Sequence, residues 1–128
     1  MPLVLALVDD LLFLSRIREA ARRVGAEVRS VGRASQLVEA ARQGASLVLV
    51  DADSERLPWA QALAALREDA ALAGIQVVAF LSHVRADRAE AARAAGCSRV
   101  LARAAFVREL PRLLRAPSQE NLLGESTP

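Results

Sequence analysis

The sequence has no lysine and no tyrosine, and only one cysteine, one histidine and one tryptophan in 128 residues. Each scarcity excludes something. A single Cys97 forms no internal disulfide, and a lone thiol fits a reducing cytoplasm. His83 and Cys97 together are too few to build a structural zinc site. Aromatics are 3% of the chain, and no basic cluster or nucleic-acid motif accompanies them. No apolar run is long enough to cross a bilayer, because arginines or acids interrupt every one. The opening Met1–Pro2–Leu3 has no basic region and leads straight into a strand pattern, so no signal peptide is expected. All 17 basic residues are arginine, yet 15 acids reduce the net charge to +2. Arginines and acids alternate along the helical segments, which reads as solvated faces, and the Arg- and Ala-rich composition fits GC-rich coding.

What is present is apolar and periodic. Hydrophobic residues make up 53% of the chain, enough for one domain to bury a core unaided. The central stretch is Ser46–Leu47–Val48–Leu49–Val50–Asp51, a strand buried on both faces that runs into an acid. Residues 3–8 form a first strand ending at Asp9 and Asp10, and Asp10 can also cap the next helix. That helix runs from Leu11 to Val24 and stops at Gly25. A strand over Ala26–Val31 and a helix over Ala34–Gln43 follow. After the central strand a helix begins near Leu57, with Pro58 in its first turn. Ile75–Leu81 is a strand, Arg85–Ala95 a helix and Val100–Ala102 a short strand. A last helix spans Phe106–Leu114, with Pro111 near or interrupting its start.

Five strands alternating with five helices require a parallel sheet with helices on both faces. The expected fold is α/β and flavodoxin-like, a (βα)5 doubly wound sheet of order 2-1-3-4-5. Residues 1–115 would be this domain, and residues 116–128, which lack a pattern, a loose tail. Strands one and three are neighbours in that order. Asp9, Asp10 and Asp51 then meet at the carboxyl edge, where such sheets bind ligands.

The Asp9–Asp10 pair, the single Asp51, Gly96 before strand five and the basic Arg103 after it resemble a response-regulator receiver domain over about residues 3–115. The resemblance implies a phosphoacceptor role for Asp51, whose carboxylate would attack phosphorus. It implies Mg²⁺ held by Asp9, Asp10, Asp51 and the backbone carbonyl of Asp53. Departures from the family pattern are equally specific. Arg103 and Ala104 stand where receivers carry Lys and Pro. The Thr or Ser position at the end of strand four falls on Leu81, with Ser82 as a substitute one residue late. Ser54–Glu55–Arg56–Leu57–Pro58 replaces the usual Met-Pro-x-x-Asp-Gly stretch, and the switch aromatic of strand five is Val100 or Leu101.

The functional expectation is a stand-alone, atypical receiver-like signalling module, or pseudo-receiver, of two-component or phosphorelay type. It would be cytoplasmic, not an enzyme, and a monomer or weak homodimer. It would dock on a kinase or output protein through helix one or through the helix four–strand five–helix five face, with or without phosphorylation of Asp51. It would bind neither nucleic acid nor membrane. Arg103 is also a candidate permanent partner of Asp51, locking the site without phosphate. The alternative is a haloacid dehalogenase-like phosphohydrolase, with Asp51 as nucleophile and Asp53 as acid or base. Its motif normally opens a chain, however, whereas here it lies in the third strand. A dinucleotide-binding domain is disfavoured because Asp9–Asp10 stand in place of a glycine-rich turn. His83 reads as an exposed loop residue, Cys97 as a small buried residue, and Trp59 and Phe106 as packing residues. The arginines of helix four (Arg85, Arg88 and Arg93) read as a solvated surface, with a partner-facing surface as the alternative.

Overall fold

The hydrophobic runs become the middle of a parallel sheet. The computed structural model describes residues 1–82 and 86–115. The expected tail and His83 lie outside these residues. The elements in chain order are β1 (Leu3–Leu7), α1 (Leu11–Val24), β2 (Glu27–Ser30), α2 (Ala34–Ala41), β3 (Ala45–Asp51), α3 (Trp59–Glu68), β4 (Gln76–Leu81), α4 (Ala86–Ala94), β5 (Arg99–Ala102) and α5 (Arg103–Leu114). All neighbouring strands are parallel, in the order β2-β1-β3-β4-β5. Parallel neighbours cannot be joined by a tight turn, so each connection carries a helix across a face of the sheet.

The period-two geometry of the strands sorts their side chains into two cores. Leu3, Leu5 and Leu7 of β1 pack with Val48, Val50, Val77, Ala79 and Leu81, under buried residues of α2, α3 and α4. Val4, Ala6, Leu47, Leu49, Val78 and Phe80 point the other way, under Phe13, Leu14 and Ile17 of α1 and Phe106, Leu110 and Leu114 of α5. A register shift between Leu3 and Val4 sets Ser46 aside as an extra residue of β3, and its hydroxyl donates to the Leu3 carbonyl. Beyond that shift, Leu47, Leu49 and Asp51 share one face of β3. Asp51 therefore lies on the face covered by α1 and α5. The edge strands β2 and β5 are shorter and only partly buried.

Two expected helix starts move. Arg103 is the first residue of α5, three residues before the expected Phe106 start, and Pro111 lies in the ninth position of the helix. Its N-cap, Ala102, makes no side-chain cap hydrogen bond, so no local sequence signal marked this end. Pro111 has no N–H to donate to the carbonyl four residues earlier, so α5 forgoes one bond there; it ends three residues on, with the Arg115 N–H donating to the Pro111 carbonyl. Helix α3 begins at Trp59, with Pro58 as its N-cap and not in its first turn. The Leu57 N–H is drawn instead to the Ser54 hydroxyl, 3.0 Å away, which holds residues 54–57 as a loop.

Candidate functional site

The carboxyl ends of β1, β3 and β5 converge, and each delivers charge. Asp10 is the N-cap of α1: its Oδ1 accepts the Phe13 N–H at 3.0 Å. That leaves Oδ2 facing the sheet edge. Asp51 ends β3 with its side chain only 3% exposed, and its Oδ1 accepts the Asp53 N–H at 3.1 Å. Asp53 follows in the β3–α3 loop. Its Oδ2 accepts the Ser82 backbone N–H at 2.6 Å, tying that loop to the end of β4. Asp9 turns aside: its Oδ2 accepts the Ser54 hydroxyl at 3.2 Å and its Oδ1 pairs with Arg56 Nη1 at 3.4 Å.

Arg103 enters the centre of this group. Each of its three guanidinium nitrogens faces a different acid. Nη1 lies 3.1 Å from Asp10 Oδ2, Nε 3.2 Å from Asp53 Oδ2 and Nη2 3.6 Å from Asp51 Oδ1. The guanidinium carbon also lies 4.6 Å from the ring centroid of Phe13 and 5.1 Å from that of Phe80. Phe13 and Phe80 form this floor and Phe106 packs against both, with the three ring centroids 4.5–5.7 Å apart. A cation over such faces gains about 0.5–2 kcal/mol, more as water is excluded.

The electrostatics follow from depth. Burial pushes the Asp51 carboxyl above its ordinary range, while the nearby Arg103 charge and the Asp53 and Asp9 backbone N–H groups pull it back. Asp10 moves the opposite way. The Phe13 N–H stabilises its carboxylate most, Arg103 adds to that, and its pKa falls despite some desolvation.

The structure thus brings Asp10, Asp51, Asp53 and Arg103 into direct contact and holds Asp9 beside them. Ser82 reaches the site through its backbone N–H. Leu81, at the expected Thr or Ser position, is buried in the opposite core. Residue-by-residue reading gave no part to the Asp53 side chain in the receiver-like site, to Ser54 and Arg56, or to the Phe13–Phe80 floor. Phe13 and Arg103 are ninety positions apart in sequence, so no spacing rule links them. Arg88 of α4 corrects the expectation of a wholly solvated face: it donates to the Ala52 carbonyl at 2.9 Å and to Glu55 at 3.0 Å.

The carboxylates have the hard-oxygen chemistry that suits Mg²⁺. Their arrangement sets an arginine at the same oxygens. Among the described residues no three acidic side chains are grouped so as to hold a metal ion, and the guanidinium of Arg103 stands between Asp10, Asp51 and Asp53.

No protein-family model matches the chain, and no curated protein matches it. Solved structures do. A response regulator from Hahella chejuensis superposes with a TM-score of 0.75 at 20% identity, over 89% of this chain and 92% of that one. The receiver domain of a sensor histidine kinase from Pseudomonas aeruginosa, solved with a magnesium ion coordinated in its active-site cleft, gives 0.69 at 25% identity, over 88% and 97%. A chemotaxis protein from Vibrio cholerae gives 0.72 at 15% identity, over 88% and 98%. With its strand order, its acids at the ends of β1 and β3 and a basic residue after β5, the chain has the receiver fold of response regulators.

Proposed function

We propose that this chain is a receiver-like signalling module that acts by docking on a protein partner, a kinase or an output protein, with or without phosphorylation of Asp51. One observation carries the reading. On a receiver fold, Asp10 and Asp51 lie at the carboxyl edge of adjacent strands, with a basic residue from the start of α5 between them. Asp51 is the acceptor candidate: its carboxylate would attack phosphorus, and Arg103 would neutralise charge on the incoming oxygens. The module is atypical, because an arginine serves there and Leu81 offers no hydroxyl. Docking through the start of α1 is supported by Leu11 and Leu12, which are 79% and 82% exposed beside Asp10. No helix of the described residues is long and apolar enough to cross a membrane.

The phosphohydrolase alternative needs Asp53 as a proton carrier. Here Asp53 Oδ2 accepts both the Ser82 N–H and the Arg103 Nε–H, which leaves only Oδ1 for that role. The test is incubation of the protein with Mg²⁺ and a small-molecule phosphodonor, with intact mass and donor consumption recorded beside Asp51→Asn and Asp53→Asn. At most one phosphoryl group per chain is expected, absent from Asp51→Asn. Repeated turnover of the donor, abolished in Asp53→Asn, overturns the reading in favour of a hydrolase.

A further inference from the structure

We infer that Arg103 is the resident cation of the acidic site, and that a divalent metal ion can bind the Asp10–Asp51 pair only by displacing it. The inference rests on the receiver reading only in taking a divalent ion as the competing ligand.

The geometry points there in three steps. First, the contact is spread over three chain segments. Asp10 comes from the end of β1, Asp51 from the end of β3 and Asp53 from the following loop, and each meets a separate nitrogen of one planar fork. A single arginine thus occupies one oxygen of each of the three acids. Second, the fork is held from beneath. Phe13 and Phe80 lie under the guanidinium, and the Phe13 backbone N–H also fixes Asp10. The backbone of Arg103 is anchored as well, because Ala102 before it pairs with Leu81 in the sheet and Arg103 itself opens α5. Third, the acid left over is occupied elsewhere: Asp9 faces Ser54 and Arg56.

A guanidinium stays charged at every accessible pH. One of the three carboxylate charges is therefore offset in the absence of any metal, and a second cation meets a like charge at the same oxygens. Magnesium also demands near-octahedral oxygens at about 2.0–2.1 Å and gives up water reluctantly. It would have to enter where an arginine already makes three polar contacts and two ring contacts.

The probe is Mn²⁺ alone, titrated into the full chain, with the free ion counted by electron paramagnetic resonance. The variants are Arg103→Gln and, as a control for lost charge, Arg22→Gln on the solvent face of α1, where the side chain is 76% exposed. Arg103→Gln is expected to bind Mn²⁺ tighter than the parent by about tenfold or more, since a neighbouring unit charge shifts a site's equilibrium by about one to three powers of ten. Arg22→Gln is expected to bind like the parent. Equal affinity in the parent and Arg103→Gln overturns the inference, as does an equal gain in Arg22→Gln. If Arg103→Gln fails to fold, Phe13→Leu removes the ring and keeps every charge; a severalfold gain supports the inference and none overturns it. Tight parental binding of Mn²⁺ leaves the receiver reading standing. Repeated phosphodonor turnover overturns that reading without altering the order of Mn²⁺ affinities.

Discussion

A lysine at position 103 would present one compact ammonium to the acids that Arg103 meets with three separate nitrogens. It would also lose the flat stacking of the guanidinium on Phe13 and Phe80. Arg103→Lys is therefore expected to lower stability by about 1–2 kcal/mol, read as a fall in urea midpoint at unchanged slope. An unchanged midpoint would mean that the extra contacts of the fork contribute nothing net. At Cys97 the surroundings act in the opposite sense. The residue is buried, and desolvation lifts its thiol from 9.0 to about 11, with Arg67 offsetting only part of the rise. Nucleophilicity belongs to the thiolate, so native Cys97 is expected to resist a thiol reagent at pH 8 and to react promptly in denaturant. The same shift carries a stability consequence. The unfolded thiol loses its proton near pH 9 while the folded one keeps it to about 11, so the unfolded state binds fewer protons across that window. Stability should fall as pH rises from about 9 to 11, and Cys97→Ala should lessen that fall.

Helix ends and loops show where local chemistry suffices and where it does not. The caps of α1 were legible, because Asp10 and Gly25 carry their own geometry. Gly25 takes φ of 74°, and the following Ala26 N–H closes on the Ala21 carbonyl at 2.9 Å. The start of α5 was not legible: Ala102 offers no cap, and Pro111 drew attention to the wrong turn. Asp9, Asp10 and Asp51 could be placed from sequence, since they follow or end hydrophobic strands, whereas Asp53 lies in the loop after β3. Arg103 could be named as a candidate partner of Asp51 only through the family resemblance, and its contacts with Asp10, Asp53 and the aromatic floor could not, since they arrive from elements distant in sequence. Another long-range clasp lies at the opposite end of the sheet, where the Arg67 guanidinium donates to the carbonyls of Ala73, Ile75 and Gly96. It ties α3, the approach to β4 and the turn before β5 together. Gly96 permits this, having φ of 103° and no side chain; a Cβ there would stand 2.6 Å from Arg67 Nε. Gly96→Ala combines a strained φ with a displaced guanidinium, so it is expected to cost about 1–3 kcal/mol in denaturant unfolding. Gly74→Ala is the comparison, since a Cβ there meets nothing within 4 Å and its φ is not positive. If the two variants lose stability equally, the clasp is not what Gly96 protects.

At the scale of the molecule, one sheet separates two cores, and only one of them underlies the site. The face toward α2, α3 and α4 is aliphatic apart from Trp59 and Cys97, while the face toward α1 and α5 holds all three phenylalanines. Phe80 is the keystone of that second face. It is fully buried in β4, with ring centroids 4.5 Å from Phe13 and 4.7 Å from Phe106, and it lies beneath the Arg103 guanidinium. Phe80→Ala leaves a cavity in a close-packed interior and is expected to cost about 3–5 kcal/mol. That is a large share of the roughly 5–15 kcal/mol that holds a domain together. Leu63→Ala, at a fully buried residue of α3 on the other face, is expected to cost about 2–5 kcal/mol. The two losses should differ in what they do to the site. Removing Phe80 takes away one ring under Arg103, so its guanidinium samples more positions and its Nε–H exchanges faster with water. Removing Leu63 empties space across the sheet and leaves the floor of Phe13 and Phe80 intact. Nuclear magnetic resonance of the Arg103 Nε–H, followed beside the unfolding midpoint, separates the two cases. Faster exchange in Phe80→Ala and a parental rate in Leu63→Ala would establish that this one face positions the arginine. An equal acceleration in both variants would mean that the site responds to overall stability, and that the aromatic floor has no particular hold on it.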